Sequence, residues 1–449
     1  MNPMPWRLLV LTDAGVDSGR PARLPEGGAD AWLASLGASV EVSGAGGSRV
    51  KWALSDAEAF SPATLRARLG LEEGAALDAA LHDPAFQRIE SVWRGLSLLA
   101  AEAGDAVSVE VASVPRRNLA ARFRELVFEP ELDRADPLSL VLLDFDFSHR
   151  PEDLAVLSEL AGMAKVLQAP LVAHAAASFF GVRYLVQAAS LPSFLDPLAA
   201  PTHTGWRSFQ STEPARWVAL TINRYLQRAP YTAEAGGHAE TVSDSNPDSY
   251  LWGRGVWLVG AALARSVRAH GHAFDVAGAE SAKFPSVATR PWPTTANERA
   301  PLATEVPLAE MQVLELSRAA FTPVVGPLRS SAVFLPMAVT VSRLNPGKLT
   351  VEGTLAYQLM AGRLAQFCGR LLDEMPAGAT AEVAHWIRDR LIEFMGGLAG
   401  KQPDQAVTVE ARETSEGDKR IPVAEIRIRP AITLEEKAPE FQFALPMRP

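Results

Sequence analysis

The chain has 449 residues, 48% hydrophobic and 21% charged, enough apolar material for one large core or two to three smaller ones. Its 43 Lys and Arg against 52 Asp and Glu leave a formal charge of -9, so no basic field attracts a phosphate backbone and nucleic acid is not an expected partner. The 32 Gly and 33 Pro are scattered without period, which excludes a collagenous chain, and the single cysteine, Cys368, excludes an intramolecular disulfide and a Cys-rich zinc site.

Cys368 sits in LAQFCGRLL, an apolar helical context that predicts a buried structural thiol. No stretch approaches the roughly 20 apolar residues of a membrane span. The opening MNPMPWRLLVLTDAG is too short in its apolar run, and too soon charged, for a signal peptide. The expectation is a soluble, cytoplasmic chain with no membrane insertion.

In chain order, residues 6–12 read as a strand ending before Asp13, and Ala29 to Leu36 as a short helix. Ala38 to Val42 and Arg49 to Leu54 alternate around Gly44–Gly47, which reads as a hairpin; a phosphate loop would need Lys and Ser or Thr before a helix. Ser61 and Pro62 suit the cap and first position of a helix. From Phe86 to Ala101, Phe86, Ile89, Val92, Trp93 and Leu96 share one helical face, which places Trp93 in the core. Ser108 to Ser113 alternates as a strand. Leu138 to Leu143 is a continuous apolar run bounded by Asp144, as in a strand buried on both faces. The Asp153 to Gln168 helix and the strand from Pro170 to Ala173 complete a parallel crossover unit.

Farther on, Trp217 to Gln227 and Tyr250 to His270 show helical patterns, with Ala233 to Asp248 as a polar surface loop between them. Pro285, Pro291, Pro293, Pro301 and Pro307 predict an irregular excursion over 283–307. Val333 to Val341 reads as strand, Leu355 to Leu372 and Glu382 to Met395 as amphipathic helices. Ala406 to Ala411 and Ala424 to Arg429 alternate around Ser415–Asp418 as a hairpin, followed by an alternating tail at Phe441, Phe443 and Leu445.

Three features invite chemistry. Asp144, Asp146 and His149 follow a buried parallel strand, at the edge where open α/β sheets bind ligands. A local account competes: Ser148 or His149 begins the turn, Pro151 opens the helix, and Glu152 with Asp153 favour its positive end. His270 and His272 are close, but a metal there lacks a third ligand. Gly253, Gly255 and Gly260 have some spacing of a dinucleotide loop, yet no strand precedes them, and packing explains them better. Trp252, Trp257 and Trp386 lie on apolar faces, as core or subunit interface. No catalytic residue, cofactor-binding residue or metal ligand is assigned, and the residues favour an assembling structural protein over an enzyme.

HDPAFQRIESVWRGLSLL (His82 to Leu99) resembles the signature of the large contractile-sheath subunit of bacterial type VI secretion systems. Four more segments are similar in order: Asp144 to Gly181, Ser249 to Gly271, Leu314 to Phe334, and the closing hairpin with IRIRP at Ile426 to Pro430. The resemblance implies an α/β fold of mixed sheets flanked by helices, contractile-tail sheath-like, with a C-terminal β-hairpin. It makes Phe86, Gln87, Arg88, Glu90, Trp93, Arg94, Gly95, Asp146, Phe147, Ser148, Leu251, Trp252 and Gly253 structural elements of the family. Residues 5–70, with PWRLLVLTDAG, AWLASLGASVEV and AFSPATLRARL, are similar to the amino-terminal part of the small sheath subunit. The chain thus resembles a fusion: a shortened small-subunit part over 1–75 and a large-subunit part over 80–449, with the excursion at 283–307 and the hairpin and tail at 406–449.

The implied function is a structural subunit of a contractile sheath that surrounds an inner tube and drives its ejection by collective repacking. The implied partners are copies of itself or other sheath subunits, an inner tube protein of the Hcp type, and baseplate components. The resemblance also implies an AAA+ unfoldase as a partner in recycling, but the family parts that lace neighbours together and carry the helix it grips are expected to be missing between Leu71 and Leu81, which puts that partner and the usual strand exchange in doubt. A sheath-derived cap, baseplate or adaptor protein that forms no long tubes is the alternative. The alternating strands nominate Val407, Val409, Ala411, Ala424, Ile426, Ile428, Phe441, Phe443 and Leu445 as inter-subunit link positions, because an exposed alternating edge pairs with another chain's strand. The same strands could instead complete the chain's own sheet.

Overall fold

The computed structural model describes residues 4–43, 49–70, 74–188, 193–344, 350–416, 419–434 and 437–447. The turn expected at Gly44–Gly47, the last two residues of the turn expected at Ser415–Asp418, and the start of the Leu71–Leu81 junction lie outside the described residues.

The main sheet is built on apolar runs. Its strands are β1 (Trp6–Thr12), β2 (Ala22–Arg23), β5 (Val107–Ser113), β6 (Leu140–Phe147), β7 (Leu171–Ala175), β8 (Val218–Ile222) and β14 (Thr322–Pro323), in the order β14-β8-β7-β6-β1-β5-β2. All neighbours are parallel except β2, which runs against β5. Period-two alternation divides each strand between two cores. Leu8, Val10, Leu140 and Leu142 face one, with the helices Pro84–Ala103, Val256–His270 and Leu355–Glu374. Leu9, Leu11, Val141 and Leu143 face the other, with the Pro151–Leu167 helix and the rings of Phe179, Trp206 and Phe321. β1 therefore sits between β5 and β6, inside the sheet of the rest of the chain.

The remaining strands form small antiparallel pieces. β3 (Ser39–Ser43) pairs with β4 (Arg49–Ala53), β9 (Tyr225–Leu226) with β10 (Trp252–Gly253), β11 (Lys283–Phe284) with β15 (Val333–Phe334), and β12 (Arg290–Pro293) with β13 (Arg299–Leu302). β16 (Val407–Glu416), β17 (Lys419–Ile428) and β18 (Phe441–Pro446) make a three-stranded sheet near the chain end.

The structure corrects several expectations. Trp217 to Gln227 is not a helix: a short turn at Pro214–Trp217 leads into β8, whose five residues are all buried, and a short segment buried on both faces shows no period to separate helix from strand. The helix expected from Tyr250 begins at Val256, because Trp252 and Gly253 pair with β9. β6 does not stop at Asp144 but runs to Phe147, since partners described below neutralise its two aspartates. The proline-rich stretch holds the β12–β13 ribbon, with Pro291 opposite Pro301 at an edge that needs neither nitrogen. Only Val333 and Phe334 of the Val333–Val341 stretch form a strand, and Pro336 stands just beyond it. Trp93 is half-buried rather than core, its indole N–H donating to Asp30 at 2.6 Å. The supposed surface loop 233–248 buries His238 against Asp78 at 2.7 Å, and buries Glu240.

Candidate functional site

The nine nominated link residues come together in one place. In the register of the C-terminal sheet, Val407, Ile428 and Phe441 form one row. Val409, Ile426 and Phe443 form the next, and Ala411, Ala424 and Leu445 the third. The rows point at the body of the protein: Val407, Ala424, Ile426, Ile428, Phe441 and Leu445 are buried, and Phe441 stacks on Tyr357 at 4.5 Å. Val409 and Phe443 are half-buried. Ala411 is exposed, and so are the residues through Thr414, because there the hairpin leaves the core.

Backbone phase is equally defined. The Arg429 N–H donates to the Ala406 carbonyl and the Met447 N–H to the Pro422 carbonyl, so hydrogen-bonded pairs alternate from these points. The peptide groups of Val407, Val409 and Ala411 consequently face away from β17, as do those of Gln442, Ala444 and Pro446. Among the described residues no strand pairs with either outer edge. The opposite, solvent face carries Glu410, Arg412, Glu425 and Arg427, with Arg412 bridging to Glu410 and Glu425 at 3.0 Å.

The signature helix Pro84–Ala103 is a packing hub. Phe86 is fully buried and meets Phe60 edge-on at 5.5 Å. Gln87 is half-buried, and Arg88 reaches Asp13 at 4.0 Å. Glu90 is buried between Arg94 at 2.9 Å and Arg228 at 3.0 Å, and Arg228 also holds Glu240. Burial pushes the Glu240 carboxyl up, but hydrogen bonds from His82 and Arg228 and the Arg228 charge bring it down to about 2. At Gly95 any Cβ would overlap the indole of Trp257, so the close approach of the two helices requires glycine. Gly253 serves the same end, since a Cβ there would lie 2.7 Å from Gln227. Its neighbours Leu251 and Trp252 are buried, the Trp252 indole donating to the Pro247 carbonyl at 2.8 Å.

At the crevice of the main sheet the two aspartates of β6 meet a cation of the chain's own. Strand order reverses between β1 and β6, the position where open α/β sheets bind ligands. There Thr12 donates to Asp144 at 2.9 Å, while Arg254 donates to Asp144 at 3.1 Å and to both oxygens of Asp146 at 2.9 and 2.8 Å. Burial pushes the Asp146 carboxyl up, but the charge and hydrogen bonds of Arg254 outweigh it and hold the group well below the usual range. Ahead of the next helix Ser148 donates from both its N–H and its hydroxyl to Asp153 in the helix's first turn, and Arg116 lies 4.1 Å over the Phe147 ring. His149 joins neither aspartate; it stacks on His203 with ring centres 3.9 Å apart. Thus the trio nominated for chemistry is divided between an ion pair and an aromatic stack. Among the described residues no group of three or more His, Cys, Asp or Glu could hold a metal, and His270 meets Asp275 at 3.7 Å. Burial pushes the Cys368 thiol up to about 12.

Sequence reasoning missed Arg254 as a structural cation. The only signal was an arginine between two glycines ahead of an apolar helix, 108 residues after Asp146. Beside Asp146 in the sheet stands His174. The Thr221 hydroxyl donates to the Ala173 carbonyl at 3.1 Å, so it accepts from His174 Nδ1 at 2.9 Å, which assigns the proton to Nδ1. Burial lowers this imidazole to about 4; Asp146 opposes the shift, and Arg254 and Arg224 add to it. A folded-state value below the unfolded 6.5 means that His174 contributes stability above pH 6.5, lost as pH falls toward 4. The loss is expected to reach about 3 kcal/mol. Urea unfolding of the wild type and of His174→Asn at pH 7 and pH 4 checks it; an equal pH dependence in both would contradict the assignment.

Comparison with known proteins decides the family. The profile of the EvpB/VC_A0108 tail sheath N-terminal domain family matches residues 71–341. The chain belongs to this tail sheath family. The sheath protein is also 24% identical, over 365 residues, to the type VI secretion system sheath protein TssC1 of Pseudomonas aeruginosa, covering 74% of this chain and 70% of that one. Among solved structures it is similar to a chain of the anti-feeding prophage baseplate, at 12% identity and a TM-score of 0.43, covering all of this chain and 91% of that one. A sheath tail protein from Listeria innocua matches at 9% identity and a TM-score of 0.43, covering all of this chain and 96% of that one. As a sheath-family member the chain is a structural subunit that associates with its own kind, and no helix among its described residues is long and apolar enough to cross a membrane.

Proposed function

We propose that this sheath subunit belongs to a type VI secretion contractile sheath, and that one polypeptide carries a shortened small-subunit part (1–75) ahead of a large-subunit part (80–449). The observation that carries the fusion is β1. It precedes the matched stretch 71–341, yet it lies between β5 and β6 of that stretch, so the first segment supplies an interior strand rather than an appendage. Trp93 to Asp30 and Phe86 to Phe60 tie the same segment to the signature helix.

In this reading copies wrap an inner tube of the Hcp type above a baseplate, and the work comes from repacking rather than bond-making. A firm body with pairing edges lets contacts change while connectivity persists. The C-terminal sheet suits that role: Val407, Ala424, Ile426, Ile428, Phe441 and Leu445 hold it to the body by their buried side chains, while the peptide groups of Val409 and Ala411 face away from β17, along an edge that a neighbour's strand can pair with.

Negative-stain microscopy of the purified full chain is expected to show tubes. Ala411→Pro removes an outward N–H and no rung of the β16–β17 ladder, so it is expected to abolish tubes while changing monomer stability by less than about 1 kcal/mol. Single particles or small rings from the wild type would favour a non-contractile cap or adaptor. Tubes unaffected by Ala411→Pro would overturn the link role of this edge.

A further inference from the structure

Two separate surfaces of the chain complement each other. A groove of about 950 Å³ opens at the amino-terminal edge of the main sheet, between residues 131–138, the end of the Pro151–Leu167 helix and the Leu355–Glu374 helix. Leu132 and Val166 line it, 54% and 57% exposed, so two large aliphatic side chains stand in water within one concavity. Its arginines are engaged, Arg370 by Glu374 at 2.8 Å and Arg134 by Glu110 and Glu131 at 3.2 Å. Asp136 and Asp373, also lining the groove, are exposed and have no ion-pair partner among the described residues. The concavity is therefore apolar at its walls and negative at its rim.

The Glu310–Arg318 helix offers the converse. Met311 is 64% exposed, the highest value among the exposed large apolar residues described. Arg318, seven residues on and hence on the same helical face, is exposed and without an ion-pair partner among the described residues. Glu315 on this helix is taken up by Ser193 and the Phe194 N–H, at 3.2 Å each.

We propose that this groove receives a second copy of the chain, with Met311 of one copy entering between Leu132 and Val166 of the next and Arg318 set against Asp373 and Asp136. The inference rests on the self-association of a sheath subunit and deepens it by naming a contact. Burial of three aliphatic side chains supplies attraction, and the opposite charges fix the register. Because two different patches meet, the contact is head-to-tail, and repetition builds an open helical array unless the rotation closes a ring.

Full-length chains carrying Val166→Cys and Met311→Cys separately, mixed and mildly oxidised, test it. Cys368 is buried, with its thiol pushed up to about 12, so it does not compete. A cross-linked dimer is expected only in the mixture. Asp373→Arg in the Val166→Cys chain should lower its yield about fivefold, and Arg318→Asp in the Met311→Cys chain should restore it. No cross-link, an equal yield when Leu328→Cys replaces Met311→Cys, or indifference to charge reversal would each overturn the proposal. Tubes without the cross-link would sink this contact and leave the sheath reading standing; the cross-link without tubes would do the reverse.

Discussion

Arg254→Met is expected to lower the unfolding free energy by about 3–5 kcal/mol at pH 7, the usual result of stripping a buried carboxylate of its cation. The side chain of Asp144 is 1% exposed and depends on Arg254 and Thr12, whereas Asp146 is 46% exposed and keeps much of its hydration. Most of the loss should therefore come from Asp144. Asp146 adds a pH signature. Its folded-state value lies below the unfolded one, so its contribution is fully present above the ordinary carboxylate range and is lost progressively as pH falls below that range toward the folded-state value. Urea unfolding at pH 7 and pH 3 is expected to show a smaller deficit for Arg254→Met in acid. Adding Asp144→Asn and Asp146→Asn should recover most of the loss. A triple variant as weak as the single one would show that Arg254 acts by packing alone.

Gly95→Ala is the second large effect, and its sign is informative. Within an unobstructed helix the change stabilises by up to about 1 kcal/mol, because alanine has less backbone entropy to lose. At Gly95 the new methyl would overlap the fully buried indole of Trp257, and overpacking of this kind costs about 1–3 kcal/mol, occasionally more. A net destabilisation of about 2 kcal/mol is expected by thermal or urea unfolding. Gly162→Ala is the control, since nothing lies within 4 Å of its Cβ position, and it should stabilise. Equal behaviour of the two variants would refute the close-approach account.

Much of the fold is legible along the chain wherever one element carries its own signal. The run Trp6–Thr12, the apolar stretch leading into β6, the Ser61 cap whose hydroxyl accepts from the Thr64 N–H, and the alternation of the C-terminal strands are all local patterns. The nine alternating residues even specify a shared face, because side chains at period two cannot do otherwise. Legibility fails where a segment is buried all round, as in β8, or where a polar residue is tolerated only because of a distant partner.

What the amino-acid order determined by itself is therefore the inventory: strands, helices, caps and one face of the C-terminal sheet. The tertiary structure alone decided the pairing of that inventory. It placed β1 between β5 and β6, set Arg254 on Asp144 and Asp146, joined Arg228 to the buried Glu90 and turned the peptide groups of Val409 and Ala411 away from β17. The physical reason is range. Propensity and periodicity act over a few residues, whereas charge neutralisation and strand neighbourhood join residues a hundred or more positions apart, and no local pattern records which partner closes the loop.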